Sequence, residues 1–150
     1  HAKLGLSPTE AHHDPLVDEL VDLMTAAGAD HTLTFRALAD MLRGEDAALH
    51  TMFHGHGIGA WVERWRDDLA ASGLDPAASA TAMDAINPLY IPRNHLVEEA
   101  LSAATAGDLE PFRQLLIRVT NPFVEQAGAN RYAEPAPAGF DASYRTFCGT

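Results

Sequence analysis

The chain has 150 residues, of which 47% are hydrophobic and 21% charged, a balance typical of a globular domain with a sizeable core. Its 10 basic and 21 acidic residues give a formal net charge of −11, which disfavours nucleic acid and anionic membrane surfaces as partners. The single cysteine excludes an internal disulfide framework, and no apolar run reaches the roughly 18 residues of a membrane-spanning helix.

The first half of the chain is predicted to form amphipathic helices. Asp14-Pro15 is a helix-start signal, because aspartate accepts hydrogen bonds from free backbone N–H groups and proline fits the first turn. The apolar stripe that follows runs to Gly28, which ends the helix. Further helices are predicted from near Thr32 to before Gly44, over roughly 45–53, across Trp61–Leu69, and after Asp75-Pro76.

The second half is predicted to contain two helices after an extended strip. Pro88 and Pro92 exclude a helix from "NPLYIPRN". Asn94 is predicted to cap the next helix and Asp108 the last one, which ends at Asn121-Pro122. The side chains expected to face inward are Leu96, Val97, Ala100, Leu101, Ala104, Leu109, Phe112, Leu115, Leu116 and Val119.

These patterns predict an all-α fold. We expect a compact helical domain of about six to seven helices over residues 1–126. An irregular Pro/Gly-rich tail over 127–150 then carries the only cysteine. No stretch shows the alternation of apolar and polar residues that predicts a strand.

The loop "FHGHG" contains two candidate metal ligands, His54 and His56, and His50 one turn earlier is a candidate third. Zinc sites use three or four protein ligands, and no cysteine or spaced carboxylate completes the set here. A solvated loop with neutral histidines is therefore favoured, and the two histidines stay weak candidates.

Two aromatic or polar groups invite a binding interpretation. Trp61 and Trp65 could stack on a nucleotide ring, but their spacing is that of ordinary core residues, which we favour. The strip "YIPRNH" offers Tyr90, Arg93 and Asn94 as docking candidates, because an extended segment with two prolines is an unusual element. A purely structural role for this strip is the favoured alternative.

The motifs GxxxxGK[ST], GxGxxG, GxSxG and HExxH are missing from the sequence. The segment "MDAINPLYIPRNHLVEEALSAATAGDLEPFRQLL" nevertheless resembles the C-terminal part of the selenoprotein O family, the YdiU-like proteins. The blocks "KLGL", "DHTLTFRAL", "WVERWRDDL", "NPF", "YAEPAP" and "YRTFCGT" also resemble that family. The resemblance is weakest over about 43–58 and 73–80.

The resemblance implies a protein-kinase-like fold of which this chain is the C-terminal part. Members of the family bind ATP with a divalent metal, Mg²⁺ or Mn²⁺, and transfer AMP to Ser, Thr or Tyr hydroxyls of proteins. The family's ATP- and metal-binding motifs precede the "KLGL" block, so no catalytic, cofactor-binding or metal-binding residue carries over to these 150 residues. The chain alone is expected to be inactive, to lie in the cytoplasm and to pack on the missing N-terminal kinase-like region.

Cys148 is a redox candidate on the same resemblance. The family ends in a motif that bears cysteine or selenocysteine, and Cys148 occupies that place. An exposed terminal thiol is reachable by oxidants, and a disulfide to the kinase-like region would close a long loop. An inert thiol is the alternative.

Two functions of different classes stay open at this point. The chain is either the C-terminal region of an adenylyltransferase that acts on protein substrates, or a stand-alone acidic helical interaction module. Helical faces that dock on a missing region would be bare in the isolated chain, which favours its dimerisation.

Overall fold

The computed structural model describes residues 1–6, 14–54, 56–140 and 144. This part of the chain is helical and contains no β-strand, so the predicted all-α class is confirmed. A short 3₁₀-helix over Ala2–Leu4 precedes the α-helices. These are α1 (Asp14–Ala27), α2 (His31–Leu42), α3 (Ala47–Phe53), α4 (Ile58–Ala71), α5 (Pro76–Ile86), α6 (Asn94–Thr105), α7 (Glu110–Thr120) and α8 (Asn130–Ala133).

A helix follows each predicted start signal, but the residue in the cap position is not always the predicted one. At the first signal, Asp14 lies within α1 rather than before it. The Asp75 side chain accepts from the N–H of Ala78 at 2.9 Å and caps α5, as predicted. The predicted cap at Asn94 is wrong, because α6 already begins at Asn94. Arg93, with extended backbone, takes the cap position, and its carbonyl accepts the N–H of Val97 at 3.0 Å.

The last predicted helix, α7, has its cap one residue after the predicted position. Asp108 accepts the N–H of Glu110 at 2.9 Å through Oδ1, although Leu109 is the residue in the cap position. The helix ends at Thr120, before Asn121-Pro122, as predicted. Within the stretch predicted as an irregular tail, Asn130–Ala133 form α8, which is only four residues long.

The chain divides into two compact units, His1–Leu89 and Tyr90–Thr150. We call them unit 1 and unit 2. The boundary predicted after residue 126 is of another kind, because it divides the helices from the tail and not one core from another. It stays a prediction.

Unit 1 has a core built around two tryptophans. Trp61 and Trp65 are fully buried and stacked with their ring centroids 5.7 Å apart, which confirms the core interpretation. Their indole N–H groups donate to the carbonyl oxygens of Leu16 at 2.8 Å and Leu4 at 2.9 Å. Because a buried indole N–H needs a partner, each tryptophan fixes one neighbouring segment, α1 or the N-terminal turn, against α4.

Unit 2 is built on the α6–α7 pair and has a small core. Leu96, Ala100 and Leu115 are buried there, and Val97, Val119 and Tyr132 pack against them. The prediction that four further side chains face inward is wrong. Leu101, Leu109, Phe112 and Leu116 are between 46% and 52% exposed. Two paired helices bury only the stripes that face each other, so a neighbouring stripe stays bare unless a third element covers it.

Candidate functional site

The extended strip begins at Asn87, which clamps the N-terminal segment of unit 1. Asn87 is fully buried, its Nδ2 donates to the Lys3 carbonyl at 2.8 Å, and its Oδ1 accepts from Lys3 Nζ at 3.3 Å. Its own carbonyl accepts from Arg36 Nη1 at 3.4 Å. The Lys3 ammonium also lies 5.1 Å from the centre of the Phe35 ring. A reciprocal pair across 84 positions of sequence is invisible to local pattern analysis, so the sequence pattern does not single out Asn87.

Tyr90 is an internal anchor of unit 2. Its side chain is 2% exposed, and its hydroxyl oxygen accepts from the N–H of Gln126 at 3.0 Å. Its own N–H donates to the Pro122 carbonyl at 3.2 Å. These bonds hold the segment after α7 against the strip, and a role for Tyr90 in docking another region stays a prediction.

The rest of the strip leads into the start of α6, which the C-terminal segment contacts through Phe140. Arg93 is half-buried at the helix start and Asn94 is exposed, so Asn94 is the docking candidate that an outside partner can reach. The His95 ring meets Phe140 edge-on at 5.9 Å, and Phe140 stacks on Tyr144 at 5.0 Å. This stack places the first residue of "YRTFCGT" beside the start of α6. Cys148 lies outside the described residues.

A balanced ion-pair cluster joins α2 to α5 in unit 1. The Asp84 carboxylate pairs with Arg36, whose Nη1 lies 3.1 Å from Asp84 Oδ1, and also with Arg43. The Nη1 atom of Arg43 in turn lies 3.0 Å from Asp40 Oδ1. Burial raises the pKa of Asp40 above its ordinary value, and the nearby Arg43 charge opposes that rise. Two guanidinium groups and two carboxylates neutralise each other, so the cluster locks the helix pair rather than offering a net charge to a ligand.

The two loop histidines are exposed. His54 ends α3 with φ 44°, and its N–H donates to the His50 carbonyl at 3.1 Å. In the part of the chain that the structure describes, no three His, Cys, Asp or Glu side chains are arranged to hold a metal ion. His54 and His56 therefore stay weak candidates.

The α6–α7 pair presents two different sides. Residues 126–140 cover one side, where Arg131 pairs with Glu99 and the Tyr132 ring packs on the small core. The Arg118 guanidinium lies 5.6 Å from the Tyr132 ring centre and its Nη1 donates to Gln126. The hydrogen bond from Arg131 to Glu99 is the main cause of a raised pKa of Arg131, so this cation stays charged. The other side carries the bare apolar side chains already described.

Comparison with curated proteins gives matches over nearly the whole chain. The sequence is 51% identical over 149 residues to the protein nucleotidyltransferase YdiU of Rhodococcus jostii, covering 99% of this chain and 29% of that protein. It is 50% identical over 149 residues to the protein of the same name from Cereibacter sphaeroides, covering 99% and 30%. For the Mycobacterium sp. (strain KMS) protein of that name the identity is 51% over 151 residues, with coverage of 99% and 30%. The chain belongs to the YdiU family.

The resemblance to the selenoprotein O, or YdiU-like, proteins is thus confirmed. The chain spans about 30% of the length of the curated relatives it matches, as their C-terminal part. No family model matches the sequence. Within the described residues, no helix has the length and apolar character needed to cross a membrane.

The blocks that carried the YdiU resemblance hold unit 1 together. In the "KLGL" block, the Lys3 carbonyl accepts a hydrogen bond from Asn87. The Leu4 carbonyl accepts one from Trp65 of the "WVERWRDDL" block. Arg36 of the "DHTLTFRAL" block forms an ion pair with Asp84. The part of the YdiU sequence pattern that lies in unit 1 therefore corresponds to buried clamps and ion pairs that join segments distant in sequence.

Proposed function

We propose that the chain is the helical C-terminal region of a YdiU-type protein adenylyltransferase. In this proposal the whole protein transfers AMP from ATP to Ser, Thr or Tyr hydroxyls of protein substrates, with Mg²⁺ or Mn²⁺. The observation that carries it is the identity of about 50% over 99% of the chain with proteins named protein nucleotidyltransferases. AMP as the transferred group and hydroxyls as acceptors come from the family resemblance.

The role proposed for this chain is to buttress the kinase-like region that precedes it in the longer proteins. Several of its cations are already engaged with carboxylates: Arg36 and Arg43 with Asp84, and Arg131 with Glu99. An arginine held in this way supports the fold more readily than it binds a nucleotide phosphate. ATP and the metal ion are assigned to the preceding region because the family's motifs that bind them come before the "KLGL" block, and a cytoplasmic location stays a prediction.

The proposal is tested by comparing the longer protein with this chain alone. The longer protein should transfer label from α-³²P-ATP to a protein acceptor, with Mg²⁺ or Mn²⁺ present. Titration calorimetry of the 150-residue chain with ATP, under reducing conditions and with each metal in turn, should give no heat of binding. Saturable binding by the chain would place a nucleotide site within these helices and contradict the assignment. Absence of transfer by the longer protein would contradict the enzyme class.

The stand-alone interaction module is the second candidate, and the exposed apolar side chains of unit 2 favour it. In the described residues, seven of the ten exposed large apolar side chains belong to unit 2. The two candidates differ in what surrounds the chain. An open reading frame that continues upstream through the kinase-like motifs supports the first, and one that starts immediately before His1 supports the second.

Cys148 keeps its proposed redox role in the longer protein. Oxidation would join its sulfur to a second cysteine sulfur of the kinase-like region, with two protons and two electrons leaving to an oxidant such as a low-molecular-weight disulfide. The stack of Phe140 on Tyr144 brings the chain to within four residues of Cys148, a reach of roughly 14 Å when extended. A mobility difference between oxidised and reduced protein on a denaturing gel, lost on Cys148→Ser, is the expected result. An identical pattern for both proteins would contradict it.

A further inference from the structure

The α6–α7 pair carries a bare apolar face on one side. We define the apolar face as Leu101, Leu109, Phe112 and Leu116, which are 52%, 48%, 46% and 47% exposed. Helices turn about 100° per residue, so Phe112 and Leu116 form one stripe of α7, directly beside the stripe of Leu115 that is buried against α6. Single exposed apolar residues are ordinary, but four on one side of a helix pair form a patch of the kind that marks an interaction site.

Helical geometry puts Leu101 on the same side of the pair. A short loop of four residues joins α6 to α7, and helices joined in this way run antiparallel. Leu101 lies about 100° around α6 from the buried Ala100 and about 140° from the buried Leu96. Because the two helices run antiparallel, the rotation on α6 from its buried residues to Leu101 and the rotation on α7 from Leu115 to Phe112 bring both side chains to the same side of the helix pair. The opposite side is the one that residues 126–140 cover, through Tyr132 and Arg131.

We propose that the apolar face docks onto the part of the YdiU polypeptide that precedes this region. This inference rests on the proposed function, in which the preceding part is the kinase-like catalytic region. The chain spans 29–30% of the relatives' length, so about 70% of each relative is tethered to this fold and lies outside it. A partner joined through a short flexible linker has an effective concentration in the millimolar range, well above that of free copies of most proteins in solution. A second copy is the weaker occupant, because two chains of net charge −11 repel each other.

The test measures how fast single cysteines react in the longer protein. In a background without native cysteines, Phe112→Cys and Leu116→Cys probe the apolar face from α7, and Leu101→Cys probes it independently from α6. Ile117→Cys is the matched control, because Ile117 lies on the same helix, is also 46% exposed, and is turned by about 100° from Leu116. The rate of modification by a small maleimide is followed by mass spectrometry under native conditions.

We expect the cysteines introduced at positions 112, 116 and 101 to react at least tenfold more slowly than the one at position 117, at a rate independent of protein concentration. Rates equal to that of the Ile117 control at all three positions would overturn the proposal. Protection that disappears on dilution would also overturn it, since a second copy would then be the occupant. Circular dichroism of each variant identifies any that fails to fold, and the probe on the other helix then decides.

The docking proposal and the proposed function fail in different ways. AMP transfer is measured on the unaltered longer protein, and protection is measured on the cysteine variants. Transfer without protection would leave the enzyme class standing and overturn the docking surface. Protection without transfer would show that the preceding region covers the face but is not an adenylyltransferase.

Discussion

The two units of the molecule are stabilised in different ways. Among the described residues, the core of unit 1 contains nineteen buried apolar residues, including both tryptophans. The core of unit 2 contains three. Unit 1 also has the reciprocal hydrogen bonds of Asn87 with Lys3 and a neutral ion-pair cluster between α2 and α5, whereas unit 2 leaves an apolar stripe of its helix pair exposed. A small core next to a bare apolar face indicates a unit that needs a partner to complete its burial.

The largest effect is expected from truncating a tryptophan in unit 1. Trp65→Ala removes a fully buried ring and the hydrogen bond to the Leu4 carbonyl, and should lower the free energy of unfolding by about 3–5 kcal/mol. Urea denaturation followed by far-UV circular dichroism measures the change. Leu74→Ala is the control, because Leu74 is 55% exposed and its truncation should change stability by less than about 0.5 kcal/mol. Equal losses in the two variants would contradict the deep core assigned to unit 1.

Leucine truncations in the two cores compare the units directly. Leu38→Ala in unit 1 should cost towards the upper end of the roughly 2–5 kcal/mol range, because Leu38 is fully buried in a large core that cannot collapse around the cavity. Leu115→Ala in unit 2 should cost about 2 kcal/mol, because its small core can close around the gap. Amide hydrogen exchange of α2 and of α7 reports each unit separately. A larger loss for Leu115 would reverse the comparison.

How far the sequence predicts the structure also differs between the units. In unit 1 most residues of the predicted apolar stripes are buried, because several helices surround one core, although Val21 of the α1 stripe is 52% exposed. In unit 2 the same reasoning wrongly placed Leu101, Phe112 and Leu116 inside. Periodicity identifies an apolar stripe but does not say which element covers it. The buried clamp at Asn87 was missed for a related reason, since its partner Lys3 is 84 positions away.

The family resemblance could be recognised from short blocks of sequence. The strip proposed for docking is more deeply buried at Tyr90 than its sequence indicates. The sequence around Tyr90 does not decide whether its side chain is buried, and only its contacts with Pro122 and Gln126 place it inside unit 2. The cap at Asn94 failed because Arg93, whose backbone is extended, already provides the carbonyl that starts α6. A cap preference in sequence does not decide between neighbouring positions when backbone geometry favours one of them.

A smaller effect in unit 2 is expected from Tyr90→Phe. The variant keeps the buried ring but removes the oxygen that accepts from the Gln126 N–H, so stability should fall by about 1 kcal/mol. The Gln126 amide should exchange faster with solvent, which hydrogen-exchange mass spectrometry detects. Tyr132→Phe is the matched control, because the Tyr132 hydroxyl makes no hydrogen bond within the described residues. A similar change in both variants would mean that the Tyr90 hydroxyl does not hold the segment after α7.

The smallest effect is expected from the pH dependence of the ion-pair cluster in unit 1. The pKa of Asp40 is raised in the folded state, mainly by burial, so the folded protein binds a proton more readily at Asp40 than the unfolded chain does. The contribution of Asp40 to stability is therefore largest at acid pH and falls as pH rises from the unfolded value of 3.8 through the raised folded value. Asp40→Asn removes this titration. The stability of the unaltered protein relative to the variant should decline slightly as pH rises above 3.8, as measured by urea denaturation at each pH. A relative stability that instead rises over this range would mean that the pairing of Asp40 with Arg43 outweighs its burial, and that the cluster stabilises unit 1 through charge as well as through packing.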